Sequence, residues 1–243
     1  MARFQDIPQF TRSAGYMVNV GLDYLARHYA RYVVEYGLDV CPDFQRGYVW
    51  RPEQKVRFME YMLRGGLSGL DIYINGPTWA HGRLGPEHPE SWLVLVDGKQ
   101  RLDAALGFLN NEFPIFDGVY HRDFTDHPRI TCCNFRWHVN DLATREECLQ
   151  WYLDLNTGGT VHTEEELGRV RDLITKGEAY VRPPHEVVKE QARIDRPIFA
   201  EVFKEIAEET ARRDAATLIR EAEAANLKPK RKGVKRGSKM APR

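Results

Sequence analysis

No stretch of eighteen or more apolar residues occurs in the 243-residue chain, so no segment has the length a membrane-spanning helix needs. The opening MARFQDIPQF lacks the apolar stretch and the cleavage pattern of a secretory signal. A cytoplasmic protein with no membrane partner is expected. Cysteine is scarce: Cys41, Cys132, Cys133 and Cys148 form no CxxC pair, and neighbours such as Cys132 and Cys133 bridge only with strain. Reduced, mostly buried thiols are expected. A zinc site using Cys132, Cys133 and His138 would match no standard ligand spacing, so burial in a strand explains these cysteines better. Two nucleotide signatures are also missing. GGLSG at 65 to 69 lacks the Lys-Ser/Thr of a P-loop, and no GxGxxG follows a strand. HRDFTDH at 121 to 127 fits no common metal motif and reads as an exposed loop. No internal repeat is present.

What the chain does have is enough apolar material, 42% of its residues, to bury a core of ordinary size. Its zero net charge conceals an asymmetry. Eight of the 35 Lys and Arg lie in residues 228–243 with no acid among them, leaving 27 basic against 35 acidic residues in the rest. Lys228, Lys230, Arg231, Lys232, Lys235, Arg236 and Lys239 make a tail suited to salt-sensitive contact with nucleic acid.

Apolar periodicity orders the elements. Asn19 is a capping type, and Leu22, Leu25, Tyr29, Tyr32 and Val33 recur at helical spacing up to Gly37. A short extended piece, residues 38–41, leads into PDFQRGYVW. Pro52 opens a second helix that Gly65 and Gly66 stop. LDIYIN (70–75) and WLVLVD (92–97) read as strands, the second apolar enough to be central. Leu102, Ala105, Leu106 and Leu109 then mark a third helix. FPIF (113–116) and RITCCNFRWHV (129–139) have strand character, and helices are expected over 144–155 and from Thr163 to about 176, where Thr163 and Glu166 form a capping box. Residues 177–194 read as a linker, 195–227 as a terminal helix and 228–243 as a disordered basic tail, leaving residues 1–176 as the main domain.

Three segments carry candidate chemistry. The strand WLVLVD runs through Asp97-Gly98 directly into a helix, where free backbone N–H groups and the positive end of the dipole favour phosphate. Gly98 removes a side-chain obstacle, Lys99 and Gln100 stand in the first turn, and Arg101 can add a two-pronged contact. Asp97 can hold a divalent cation such as Mg²⁺ or orient a water. In PDFQRGYVW, Gln45 and Arg46 sit among aromatics, and Arg46 is a second phosphate clamp. Asn156, Thr157, Gly158, Gly159 and Thr160 form a loop whose glycines permit consecutive N–H groups to face an anion.

PDFQRGYVW, the helix with Gln54, VDGKQRLDAALGFL and LNTGGTVHTEEEL occur here in an order that resembles the N-terminal domain family of GmrSD-type restriction enzymes, over roughly residues 15–175. DGKQR resembles that family's Asp-Gly-x-Gln-Arg signature, with Lys99 where a glutamine is more usual. The resemblance implies a mixed α/β (α+β) fold, a ParB/sulfiredoxin-like small mixed sheet flanked by helices, here with a C-terminal helical extension. It also implies an NTP-binding module, expected as a Mg-dependent NTPase in restriction, defence or counter-defence, with Asp97, Gln100 and Arg101 as its catalytic group. The alternatives are a non-enzymatic DNA-binding adaptor and a phosphotransferase. No counterpart of the HNH nuclease domain that commonly accompanies this family follows residue 177, so DNA cleavage is expected to need a separate nuclease or other partner.

Overall fold

The computed structural model of the chain describes residues 16–82, 88, 91–126, 133–156 and 163–226. Seven helices and five strands lie among them: β1 (Tyr16–Gly21), α1 (Leu25–Val34), β2 (Leu38–Asp39), α2 (Pro52–Leu63), β3 (Asp71–Asn75), β4 (Leu93–Asp97), α3 (Lys99–Leu109), β5 (Asn134–Asn140), α4 (Arg145–Asn156), α5 (Glu164–Lys176), α6 (His185–Gln191) and α7 (Pro197–Asn226). The strands form one mixed sheet in the order β1-β5-β3-β4-β2. β1 runs antiparallel to β5 and β3 antiparallel to β4, while β5 with β3 and β4 with β2 are parallel. This is the mixed α/β architecture expected. None of the helices, among the described residues, is long and apolar enough to cross a membrane.

Strand alternation divides the core between the two faces of the sheet. On one face Leu95 lines a small cavity together with Tyr29 of α1 and Leu102 and Leu106 of α3. On that side too Phe135 approaches Phe58 of α2, and Trp137 stands edge-on to His28 of α1. On the other face Val94 and Val96 pack with Leu149, Trp151 and Tyr152 of α4 and Leu167 and Val170 of α5. Capping fixes the helix starts. Gln54 Oε1 accepts the Arg51 N–H at 2.9 Å ahead of α2, and Thr163 with Glu166 forms the capping box expected for α5.

The chain divides into a unit of residues 1–202 and one of residues 203–243. The segment 177–194, expected as a linker, carries α6 and falls within the first unit. Tyr29 Oη donates to the Ala192 carbonyl at 3.0 Å and Tyr48 Oη to that of Gln191 at 2.8 Å. Just beyond it, Arg193 and Arg196 reach the buried carboxylate of Asp103 in α3 at 2.9 and 2.6 Å, and Lys55 completes the cluster at 2.6 Å. A seven-residue helix between Pro184 and Ala192 that buries a single valine, Val188, has too little apolar periodicity to announce itself.

Two other expectations are corrected. Asn19 is not a helix cap but an exposed position of β1, whose alternating side chains answer to a sheet; α1 starts only at Leu25, after a 3₁₀ turn at Leu22–Tyr24. FPIF is not a strand either. Ile115 bridges only Val119, and Phe116 and Asp117 stand at φ +45° and +61° in the tight turn between them. The expected strand at 129–139 is β5, with residues 127–132 outside the described ones.

Candidate functional site

Each of the three sequence segments contributes to one pocket of about 190 Å³. Gln45 and Arg46 come from the loop before α2, Asp97, Gly98, Lys99, Gln100 and Arg101 from the β4–α3 junction, and Asn156 from the end of α4. Thr157, Gly158, Gly159 and Thr160 lie outside the described residues, as do the tail cations Lys228, Lys230, Arg231, Lys232, Lys235, Arg236 and Lys239. A larger hollow of about 680 Å³, lined by Leu22, Phe108 and Phe116, gathers none of the three segments. It ends at Asp126 and Cys133, on either side of the undescribed residues 127–132.

The β4–α3 junction depends on Gly98. Its φ of +109° belongs to glycine, and a Cβ there would come within 2.5 Å of Ile72 Cδ1 in the neighbouring strand. The turn aims the start of α3 at the pocket. Leu102 N–H makes the first bond back, to the Gly98 carbonyl at 2.9 Å, so the amides of Lys99, Gln100 and Arg101 precede the helix's own ladder. Asp97 caps from the side: Oδ1 accepts the Gly98 N–H at 2.7 Å, and Oδ2 pairs with Arg101 Nη2 at 2.6 Å. The same Arg101 nitrogen donates to the Asp71 carbonyl at 2.8 Å, which locks the guanidinium across β3 and β4.

Gln100 and Lys99 hold the facing loop. Gln100 Oε1 accepts from the amides of Val49 (3.0 Å) and Trp50 (3.2 Å), and its Nε2 donates to the Gly47 carbonyl at 2.8 Å. Lys99 Nζ donates to the Arg46 carbonyl at 3.0 Å and lies over the Tyr48 ring. Gln45 Nε2 donates to the Leu95 carbonyl. These three side chains therefore fix Arg46 in place. The Arg46 guanidinium itself has a long ion pair, 3.9 Å to Glu166. Asn156 Nδ2 donates to the Tyr152 carbonyl at 2.7 Å.

Sequence reasoning did not single out Trp50 and Tyr152, which form walls of the pocket. Burial pushes the Tyr152 phenol up to about 12, so it stays a hydroxyl at neutral pH. Sequence reasoning also missed the ionic cluster around Asp71, which does not itself line the pocket. This residue binds Arg136 through two bonds (2.7 and 2.5 Å) and His138 (2.8 Å), and those hydrogen bonds, Arg136 first, hold its carboxyl down at about 2. The signal was available in the alternation of Arg136 and His138 along β5, parallel to β3.

Among the described residues no group of three His, Cys, Asp or Glu side chains is placed to hold a metal ion. Asp97 is, among the described residues, the one carboxylate lining the pocket. That donor set fits Mg²⁺ held by one carboxylate together with phosphate oxygens and water, the manner in which Mg²⁺ accompanies nucleotides, and not a closed protein cage. Cys41, Cys133 and Cys148 are free thiols, the last pushed up to about 12 by burial.

The family model described as the GmrSD restriction endonuclease, N-terminal domain, matches residues 31–236. No curated protein and no solved structure matches.

Proposed function

Because the chain belongs to the GmrSD restriction endonuclease N-terminal domain family, and so to restriction and defence directed at DNA, we propose that the pocket binds an NTP through its phosphates, with Mg²⁺, and hydrolyses it slowly. The observation that carries this reading is convergence: segments about fifty residues apart in sequence place Arg46, Arg101, Asp97 and the first amides of α3 around one cavity. Cations, helix amides and a single carboxylate suit a polyanion that brings its own metal. The volume of about 190 Å³ is below that of most whole-ligand sites, about 300–1,000 Å³, and suits the phosphate end with the nucleoside toward the pocket mouth.

In this reading the expected roles divide. Arg46, Arg101 and the amides of Lys99 and Gln100, at the turn that Gly98 makes, contact phosphate, and Asp97 serves the cation or orients the attacking water. Gln45, Lys99 and Gln100 act through their side-chain bonds to the protein, holding Arg46 and the 47–50 loop at the site. The basic tail adds contact with DNA, and a separate nuclease acts on it.

A panel of NTPs with Mg²⁺, scored for both binding and phosphate release, tests this. Release without any acceptor supports it. Binding without release supports the adaptor reading, and release only in the presence of an acceptor supports a phosphotransferase.

A further inference from the structure

α6 ends on a residue type that its backbone disfavours. Ile194 N–H bonds back to the Lys189 carbonyl at 3.3 Å and Arg193 N–H to that of Glu190 at 3.0 Å, the bond pair of a Schellman turn, and Arg193 takes the left-handed position at φ +54°. That position ordinarily falls to glycine, because a Cβ there crowds the backbone. The end of α5 keeps the rule, with Gly177 at φ +63°. An arginine in such a place persists only where its surroundings over-determine it, and residues of this kind concentrate at functional sites. Its guanidinium pairs with Asp103 at 2.9 Å, but Asp103 already holds Lys55 and Arg196, each at 2.6 Å, and the Arg193 side chain is still 40% exposed. The neutralisation of Asp103 therefore does not account for it. A second contact leads to the pocket: the guanidinium lies 4.0 Å from the centre of the Tyr48 ring, which also has Lys99 Nζ over it at 4.6 Å.

We propose that Arg193 is a positioning residue of the pocket: through the Tyr48 ring it sets the 46–50 loop, and with it Arg46, against the first turn of α3. The loop is tied to both sides. Toward α3, Lys99 Nζ holds the Arg46 carbonyl and Gln100 holds the amides of Val49 and Trp50. Toward α6, Tyr48 Oη donates to the carbonyl of Gln191, the last residue of that helix, at 2.8 Å, and Arg193 two residues later attracts the face of the same ring. A glycine at 193 would end α6 with less backbone strain and leave Tyr48 without this cation. The hold on the loop rests on contacts within the protein, whereas its effect on a ligand rests on the nucleotide reading above.

The test uses the full chain and three variants, Arg193→Gly, Tyr48→Leu and the two combined. Amide hydrogen exchange without nucleotide follows Val49 and Trp50, whose N–H groups bond to Gln100. Arg193→Gly should speed exchange there about five- to thirtyfold, the scale of a cation–π contact at a partly to fully desolvated site. Its thermal midpoint should stay within a few degrees of wild type, because glycine suits the turn. NTP affinity with Mg²⁺ should fall by a similar factor. Adding Arg193→Gly to Tyr48→Leu should change neither quantity further, since the two residues act as one. Unchanged exchange in Arg193→Gly, or effects of the two substitutions that simply multiply, overturns the proposal, the second outcome placing the role of Arg193 at Asp103. A wild-type chain that binds no NTP removes the nucleotide reading alone, and the exchange still decides whether Arg193 holds the loop. Should Tyr48→Leu fail to fold, the exchange of Arg193→Gly decides by itself.

Discussion

Asp97 combines two tasks. Its carboxylate caps the Gly98 amide and neutralises Arg101, yet each oxygen keeps a further lone pair that can meet a cation or water. Truncation to alanine would remove cap and partner together and confound chemistry with folding. Asp97→Asn is the sharper substitution, because one amide oxygen still accepts from Gly98 while the charge is lost. We expect phosphate release to fall by about 10²-fold or more, the scale for removing a group that acts in the transition state, with a thermal midpoint within a few degrees of wild type. Equal rates for the two proteins would take Asp97 out of the reaction. Much of this residue-level site was legible in the sequence, because Asp-Gly at a strand end before an amphipathic helix constrains the local backbone. The long-range partners were not legible. Nothing in KQR shows that Lys99 and Gln100 turn to the 46–50 loop and not to a ligand, since that depends on what faces the first turn of α3.

Among the elements, α3 is the hub. Its first turn faces the pocket, and further along Asp103, 3% exposed, gathers Lys55 from α2 and Arg193 and Arg196 from the α6–α7 connection. Arg196 also pairs with Glu112 at 2.8 Å. Removing the shared anion leaves three cations around an empty place, the circumstance in which a buried ionic group is costly to lose. Asp103→Ala should destabilise the chain by about 3–5 kcal/mol in urea unfolding. A loss below about 1 kcal/mol would mean that water already screens the cluster. Helices with a continuous apolar face, α2, α3 and α5, were readable along with strands β3 and β4, because their periodicity is set locally. β1 and α6 were not. The strand is recognisable only from the sheet it completes, and α6 is held by tyrosine hydroxyls and arginines from afar, not by a stripe of its own.

For the whole molecule, the separation of charge sets a division of labour: an acidic body carries the pocket, and the only dense basic run lies in residues 228–243. Deleting that run should leave NTP binding unchanged while lowering both DNA affinity and its salt dependence, because the slope of affinity against salt scales with the phosphates neutralised. Equal salt slopes for full-length and truncated chains, titrated with duplex and single-stranded DNA, would move any DNA contact onto the folded part.

In the proposed reading, the convergence of Arg46 with the β4–α3 junction makes a phosphate site. Arg46 tests it more cleanly than Arg101, since Arg101 also ties β3 to β4, whereas the Arg46 guanidinium pairs only loosely, at 3.9 Å, with Glu166. Calorimetric titration of wild type and Arg46→Ala with an NTP and with its nucleoside, both with Mg²⁺, is the direct measurement. The expected result is a loss of about 1.5–3 kcal/mol for the triphosphate, the worth of a hydrogen bond to a charged group, and little for the nucleoside. Equal losses for both, or a wild-type chain that binds no NTP, would contradict it.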